Sequence, residues 1–100
     1  MKNDQGYTAK DLKAFENIVS SKNKIESEIK TEDKNYIVHS TLKKIEEKLP
    51  DSLFLKIHRS YVINIKKIID IEDNSVLIKK DVIPVSRSKR PELMKRLDLL

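Results

Sequence analysis

Two short polar clusters carry the side chains best suited to chemistry in this chain of 100 residues: His58-Arg59-Ser60, closed by Asn64, and Ser86-Arg87-Ser88-Lys89-Arg90. A serine two residues from a histidine invites a nucleophile reading. Adjacent residues of an extended strand point to opposite faces, however, and an i/i+2 pair needs a supporting acid and an oxyanion pocket that this sequence does not supply. His39 and His58, without any cysteine, form a poor metal site. A single glycine, Gly6, excludes a phosphate-cradling P-loop and a dinucleotide fingerprint, both of which need several. Glu26, Glu28, Glu46 and Glu47 read as solvated faces rather than as catalytic carboxylates. The chain is therefore expected to be no enzyme and to hold no cofactor or metal. Gripping an anion is what the two clusters can do. Arginine presents a planar fork that matches phosphate oxygens and the guanine edge, and serines and helix-start amides add phosphate contacts.

The charge distribution agrees. Residues 1–50 carry ten basic and nine acidic side chains, whereas residues 51–100 carry eleven and seven, so most of the net charge of +5 lies in the second half. All four arginines, Arg59, Arg87, Arg90 and Arg96, are there too. This favours an anionic partner without by itself naming nucleic acid. At 38% hydrophobic and 37% charged residues, one small domain with a modest core is expected. The absence of cysteine rules out disulfides and thiolate chemistry. No stretch reads as a signal peptide or a membrane span, so a cytoplasmic protein is expected.

The elements that must position these clusters follow from periodicity. Residues 1–10 read as a flexible N-terminal arm, with room for a short strand at Tyr7-Thr8-Ala9, and residues 11–100 as one domain. Residues 11–19 fit helix or strand equally. Ser20-Ser21-Lys22-Asn23 is a polar break of hairpin length. A strand is expected from Lys24 to Lys30 with Ile25 and Ile29 on one face. A turn over residues 31–35 and a second strand at Tyr36–His39 follow. Leu42, Ile45 and Leu49 then switch to helical spacing, between a cap at Ser40 or Thr41 and a stop at Pro50. Phe54 to His58 alternates as a strand, and Tyr61-Val62-Ile63 resumes after the polar tip. Strands are expected at 67–72, 75–79 and 82–85, linked by Asp73-Asn74 and Lys80-Asp81. Pro91 near the start, Glu92 early, and Lys95 and Arg96 late mark a last helix with Leu93, Met94, Leu97 and Leu100 as its apolar stripe. The fold class is mainly β, with small antiparallel sheets and two short α-helices. Taken alone, the second cluster also reads as a basic flexible connector, and Asn64 as a strand-ending turn residue.

The run Phe54-Leu55-Lys56-Ile57-His58-Arg59-Ser60-Tyr61-Val62-Ile63-Asn64, followed by Ile83-Pro84-Val85-Ser86-Arg87, closely resembles the LytTR family of bacterial DNA-binding domains. Supporting pieces stand in the right order: Asp11-Leu12 through Phe15-Glu16, Lys34-Asn35-Tyr36, and the Thr41-Leu42-Lys43 helix ending at Pro50. Lys13 and Ala14 occupy places that the family usually makes more hydrophobic and aromatic. The resemblance covers residues 11–98 and implies an elongated arrangement of small sheets whose strand-end loops enter successive major grooves. It assigns DNA contacts to Lys22, Arg59 and Arg87, with His58, Ser86 and Lys89 as neighbours on the DNA backbone. It further implies transcription regulation on double-stranded DNA, at paired direct repeats carrying two protomers. Such an output domain follows a receiver or a membrane segment, so the chain is a stand-alone regulator or an excised domain.

Two other readings stand beside this one. A single-stranded RNA-binding module would need exposed aromatic platforms, yet there are only five aromatic residues, and the core wants Phe15, Phe54 and Tyr61. A protein-interaction module would use a sheet edge or the Leu93–Leu100 stripe.

Overall fold

The computed structural model describes residues 16–98 of the chain. The sequence expectations for the arm, for the short strand at residues 7–9 and for residues 11–15 lie outside them, as does Leu100.

Three hairpin-linked strands come first: β1 (Ile18–Ser21), β2 (Ser27–Lys30) and β3 (Asn35–Val38). Helix α1 (Leu42–Glu46) leads to the hairpin of β4 (Phe54–His58) and β5 (Tyr61–Asn64). These five strands form one antiparallel sheet in the order β3-β2-β1-β5-β4. A second antiparallel sheet is built from β6 (Asp70–Ile71), β7 (Ser75–Ile78) and β8 (Asp81–Pro84), and α2 (Arg90–Asp98) follows. The molecule is elongated, with principal extents of 42 × 25 × 23 Å.

The central strands β1 and β5 explain why the large sheet sits in the middle. Ile18-Val19 and Val62-Ile63 are apolar pairs of adjacent residues, so each strand sends one large side chain to either face, and all four are buried. On one face Val19 and Val62 join Ile29, Val38 and Phe54 beneath Leu42, Ile45 and Leu49 of the α1 segment. On the other, Ile18, Leu55, Ile57 and Ile63 meet Val76, Ile78 and Ile83 of the small sheet and Leu93 of α2. Each fully buried side chain of this size contributes about 1.5–3 kcal/mol.

Local polar chemistry trims the elements relative to their periodicity. Strand β2 begins at Ser27 rather than Lys24 because the Asn23 carboxamide oxygen accepts from the N–H groups of Ile25 (2.9 Å) and Glu26 (2.8 Å), folding these residues into an Asx turn. Ile25 is left 55% exposed instead of sharing a face with Ile29. Helix α1 is capped by the Thr41 hydroxyl, which accepts from Lys44 N–H at 3.3 Å. It ends at Glu46 because Lys48 and Leu49 donate to carbonyls three residues back, a tightening that precedes Pro50; Leu49 still reaches the core. The strand expected from 67 shrinks to Asp70–Ile71, since the Asn64 side chain accepts from Lys66 N–H (3.0 Å) and winds residues 65–67 into a 3₁₀ turn. The β7–β8 turn is Lys79-Lys80, one residue earlier than expected, with Lys79 in the left-handed region at φ 55°. In α2, Leu93 is fully buried and Leu97 packs on the same core, whereas Met94 is 38% exposed.

Candidate nucleic-acid interface

The β4–β5 tip holds the first cluster. His58 lies opposite Tyr61, so Arg59-Ser60 is a two-residue turn, and Ile57 forms a bulge in the register. Neither turn residue has a positive φ, for Lys79 is the one described non-glycine residue that does. Two-residue hairpin turns normally use such conformations to match the strand twist, and the bulge adds the twist that this turn lacks. The turn is closed by the imidazole of His58, whose Nδ1 accepts from Ser60 N–H at 3.0 Å. The same ring lies against Tyr61, with centroids 5.4 Å apart and planes tilted by 58°. Arg59 projects into solvent from this fixed turn.

Two further loops reach the same end of the large sheet. The β1–β2 loop begins with Lys22, which is exposed, and is held by the Asn23 side chain and by main-chain bonds from Lys22 and Asn23 to the Glu26 carbonyl at 3.0 and 3.2 Å. After β8, Val85 N–H donates to the Asn74 carbonyl (2.8 Å), and residues 87–89 form a 3₁₀ turn running into α2. Arg87 and Ser88 are exposed, while Ser86 and Lys89 are half-buried. Lys89 N–H and Arg90 N–H both donate to the Ser86 carbonyl, at 2.9 and 3.2 Å.

Main-chain hydrogen bonds tie both loops to the tip. Ser21 N–H donates to the Ser60 carbonyl at 2.9 Å, and Ser86 N–H to the Ile57 carbonyl at 2.7 Å. Lys22, Arg59 and Arg87 therefore each stand one residue from such a bond, with their loops held at one end of the sheet and their side chains in solvent. Among the described residues, no salt bridge engages any of these three or Lys89.

Among the described residues, ion pairing is concentrated at the opposite end, where the β2–β3 turn meets the β7–β8 turn. Lys30 pairs with Asp81 at 3.3 Å, and Glu32 with Lys79 at 3.1 Å and Lys67 at 3.5 Å. Lys79 also donates to the Glu32 carbonyl at 2.9 Å. The Lys79 hydrogen bond, one from the Asn17 side chain and the charges of both lysines hold the Glu32 carboxyl below its ordinary range. A cleft of about 540 Å³ opens there, lined by residues that include Asn17, Lys30, Glu32, Lys34, Lys79 and Asp81. Its charges are of both signs and largely paired, which does not suit a polyanion.

Five of the six residues assigned from the sequence lie on the three stitched loops, and His58 ends β4 at the base of one of them. Asn64 does not join them. It is buried, its carboxamide nitrogen donates to the Glu16 carbonyl at 3.1 Å and its oxygen caps the 3₁₀ turn, so its role is structural. Arg90 is likewise committed, donating to the carbonyls of Glu72 (3.1 Å) and Asp73 (2.6 Å) and fastening the start of α2 to the β6–β7 turn. Sequence reasoning missed Asn23, although an asparagine two residues before Ile25 in a polar break carries the Asx-turn signal. The partners of Arg90 are distant main-chain carbonyls, which leave no sequence signal.

Comparison with known proteins bears on family and fold. The profile of the LytTr DNA-binding domain matches residues 7–98. The sensory transduction protein LytT of Bacillus subtilis (strain 168) is 48% identical over 77 residues, covering 71% of this chain and 32% of its own length. LytT of Bacillus anthracis is 36% identical over 75 residues, covering 69% and 30%. The chain thus spans about a third of the length of the curated relatives it matches. A solved LytTr DNA-binding domain from Bacillus cereus has the same fold, with a TM-score of 0.74 at 23% identity over 84% of this chain and 82% of its own. On sequence and fold together, the chain belongs to the LytTr DNA-binding domain family.

Proposed function

We propose that this domain binds double-stranded DNA sequence-specifically in transcription regulation, with the three stitched loops in the major grooves. One observation carries the reading: Lys22, Arg59 and Arg87 are exposed, outside any salt bridge among the described residues, and held by main-chain bonds at one end of the sheet. Family membership supports DNA binding, and the likeness to LytT supports a place in a sensory regulator. Arg59 and Arg87 read base edges, and Lys22, Ser86 and Lys89 contact phosphates. Two protomers occupy paired direct repeats, in the cytoplasm, and in a longer polypeptide a receiver domain is the natural controller. The described residues contain no helix long and apolar enough to cross a membrane.

Packing weighs against the alternatives. Among the described residues, Phe54 is buried, and Tyr36 and Tyr61 are partly buried against the two cores, which disfavours them as platforms for single-stranded RNA to stack on. Leu93 and Leu97 are spent on the core rather than offered to a protein partner.

Selection of duplexes from a random library tests the proposal. Enrichment of a direct repeat is the expected result, and the absence of any enriched sequence would sink it. On the selected duplex, Arg59→Ala and Arg87→Ala are each expected to lose about 1–3 kcal/mol of discrimination against a scrambled duplex. Equal loss on both duplexes would reduce these arginines to phosphate clamps.

A further inference from the structure

We infer that His58 acts as a positioning residue: its Nδ1 closes the Arg59-Ser60 turn as an asparagine would, and thereby aims Arg59. The inference rests on the DNA-binding reading above and deepens it. In an Asx turn the side-chain oxygen of residue i accepts the N–H of residue i+2. Here the tip contains no Asn, Asp, Gly or Pro, yet the same i to i+2 bond exists, from Ser60 N–H to His58 Nδ1 at 3.0 Å. The match is geometric, since Nδ1 of histidine and Oδ1 of asparagine are both two bonds from Cβ. Acceptance at Nδ1 places the proton of the neutral ring on Nε2. The ring lies against Tyr61, and both His58 and Ser60 are half-buried, so the bond is partly shielded from solvent.

This bond sits at the centre of the interface. Ser60 is held at both of its main-chain groups, by His58 at its N–H and by Ser21 N–H at its carbonyl. Releasing the first hold frees the φ and ψ of Arg59, and a bidentate contact tolerates little angular error. The role differs from a backbone contact through Nε2, and two substitutions separate them. Asparagine retains an acceptor at the Nδ1 position, whereas glutamine reaches one atom further, to the position of Nε2.

The test compares wild type with His58→Asn, His58→Gln and His58→Ala in the full 100-residue chain. Affinities for the selected and scrambled duplexes are measured together with amide hydrogen exchange of Ser60 in the absence of DNA. His58→Ala is expected to speed Ser60 exchange and to lose about five- to tenfold in affinity for the selected duplex, the scale of one intramolecular hydrogen bond. His58→Asn is expected to restore Ser60 protection and most of the affinity, and His58→Gln to restore neither. Recovery with glutamine but not asparagine would overturn the inference in favour of a contact through Nε2, as would unchanged Ser60 exchange in His58→Ala. Exchange at Val19 and Val62 reports whether each variant is folded, and His58→Asn carries the comparison if the alanine variant is not. Failure of the wild type to select any duplex would count against DNA reading alone, since Ser60 exchange still decides whether His58 closes the turn.

Discussion

Asn64 and Arg59 stand five residues apart in the same hairpin, and their surroundings give them opposite duties. Asn64 is 3% exposed and satisfies a carbonyl at one end of its amide and an N–H at the other. Asn64→Ala leaves both of those main-chain groups without their partner, and a cost of about 1–3 kcal/mol is expected. Urea denaturation should show a lower midpoint, while the folded variant keeps wild-type affinity for its duplex. An affinity loss without a stability loss would return Asn64 to the interface. In the sequence, Asn64 was as readable as a turn residue as it was as a member of the tip, because its partner Glu16 is 48 positions away. The outward arginines were easier to recognise, since charged side chains beside a strand end have nowhere to be buried. His58 lay between these cases: its place in the cluster was visible, but its bond to Ser60 depends on a ring orientation that only the packed hairpin sets.

At the scale of elements, the hairpins and helices were legible where apolar period and polar breaks coincided, as at β4, β5, β7 and α2. Boundaries moved where one polar side chain captured main-chain N–H groups: Asn23 shortened β2, and Asn64 delayed β6. The packing of the two sheets was not legible, because both its apolar core and the contacts between its turns join residues distant in sequence. Glu32 is the clearest of these, shared by Lys79 and Lys67. Its folded-state pKa lies below the ordinary glutamate value of 4.5, so its ion pairs stabilise the fold at pH above that value. The contribution disappears as pH falls through the lowered folded-state pKa. Denaturation of wild type and Glu32→Gln should therefore differ at neutral pH and converge in acid, with a smaller gap at high salt because the carboxylate is exposed. A gap that persists below that pKa would mean that Glu32 acts through packing instead.

Among the described residues, the two ends of the molecule carry their charges differently. One end pairs them into bridges across the turns, and the other presents Lys22, Arg59 and Arg87 outside any described salt bridge. Affinity for DNA should fall with salt at a log–log slope of about −0.9 per neutralised phosphate. Lys22→Ala should flatten that slope by about one unit while weakening selected and scrambled duplexes alike. A change in sequence preference would instead make Lys22 a reader of bases. The bonds Ser21–Ser60 and Ser86–Ile57 use only main-chain atoms, so the frame that gathers the loops is indifferent to the side chains it displays. Substitutions at positions 22, 59 and 87 can accumulate without disturbing either core. If these three positions read DNA as proposed, descendants of one such domain can come to address different operators while their architecture stays the same, and the DNA address can drift faster than the fold that reads it.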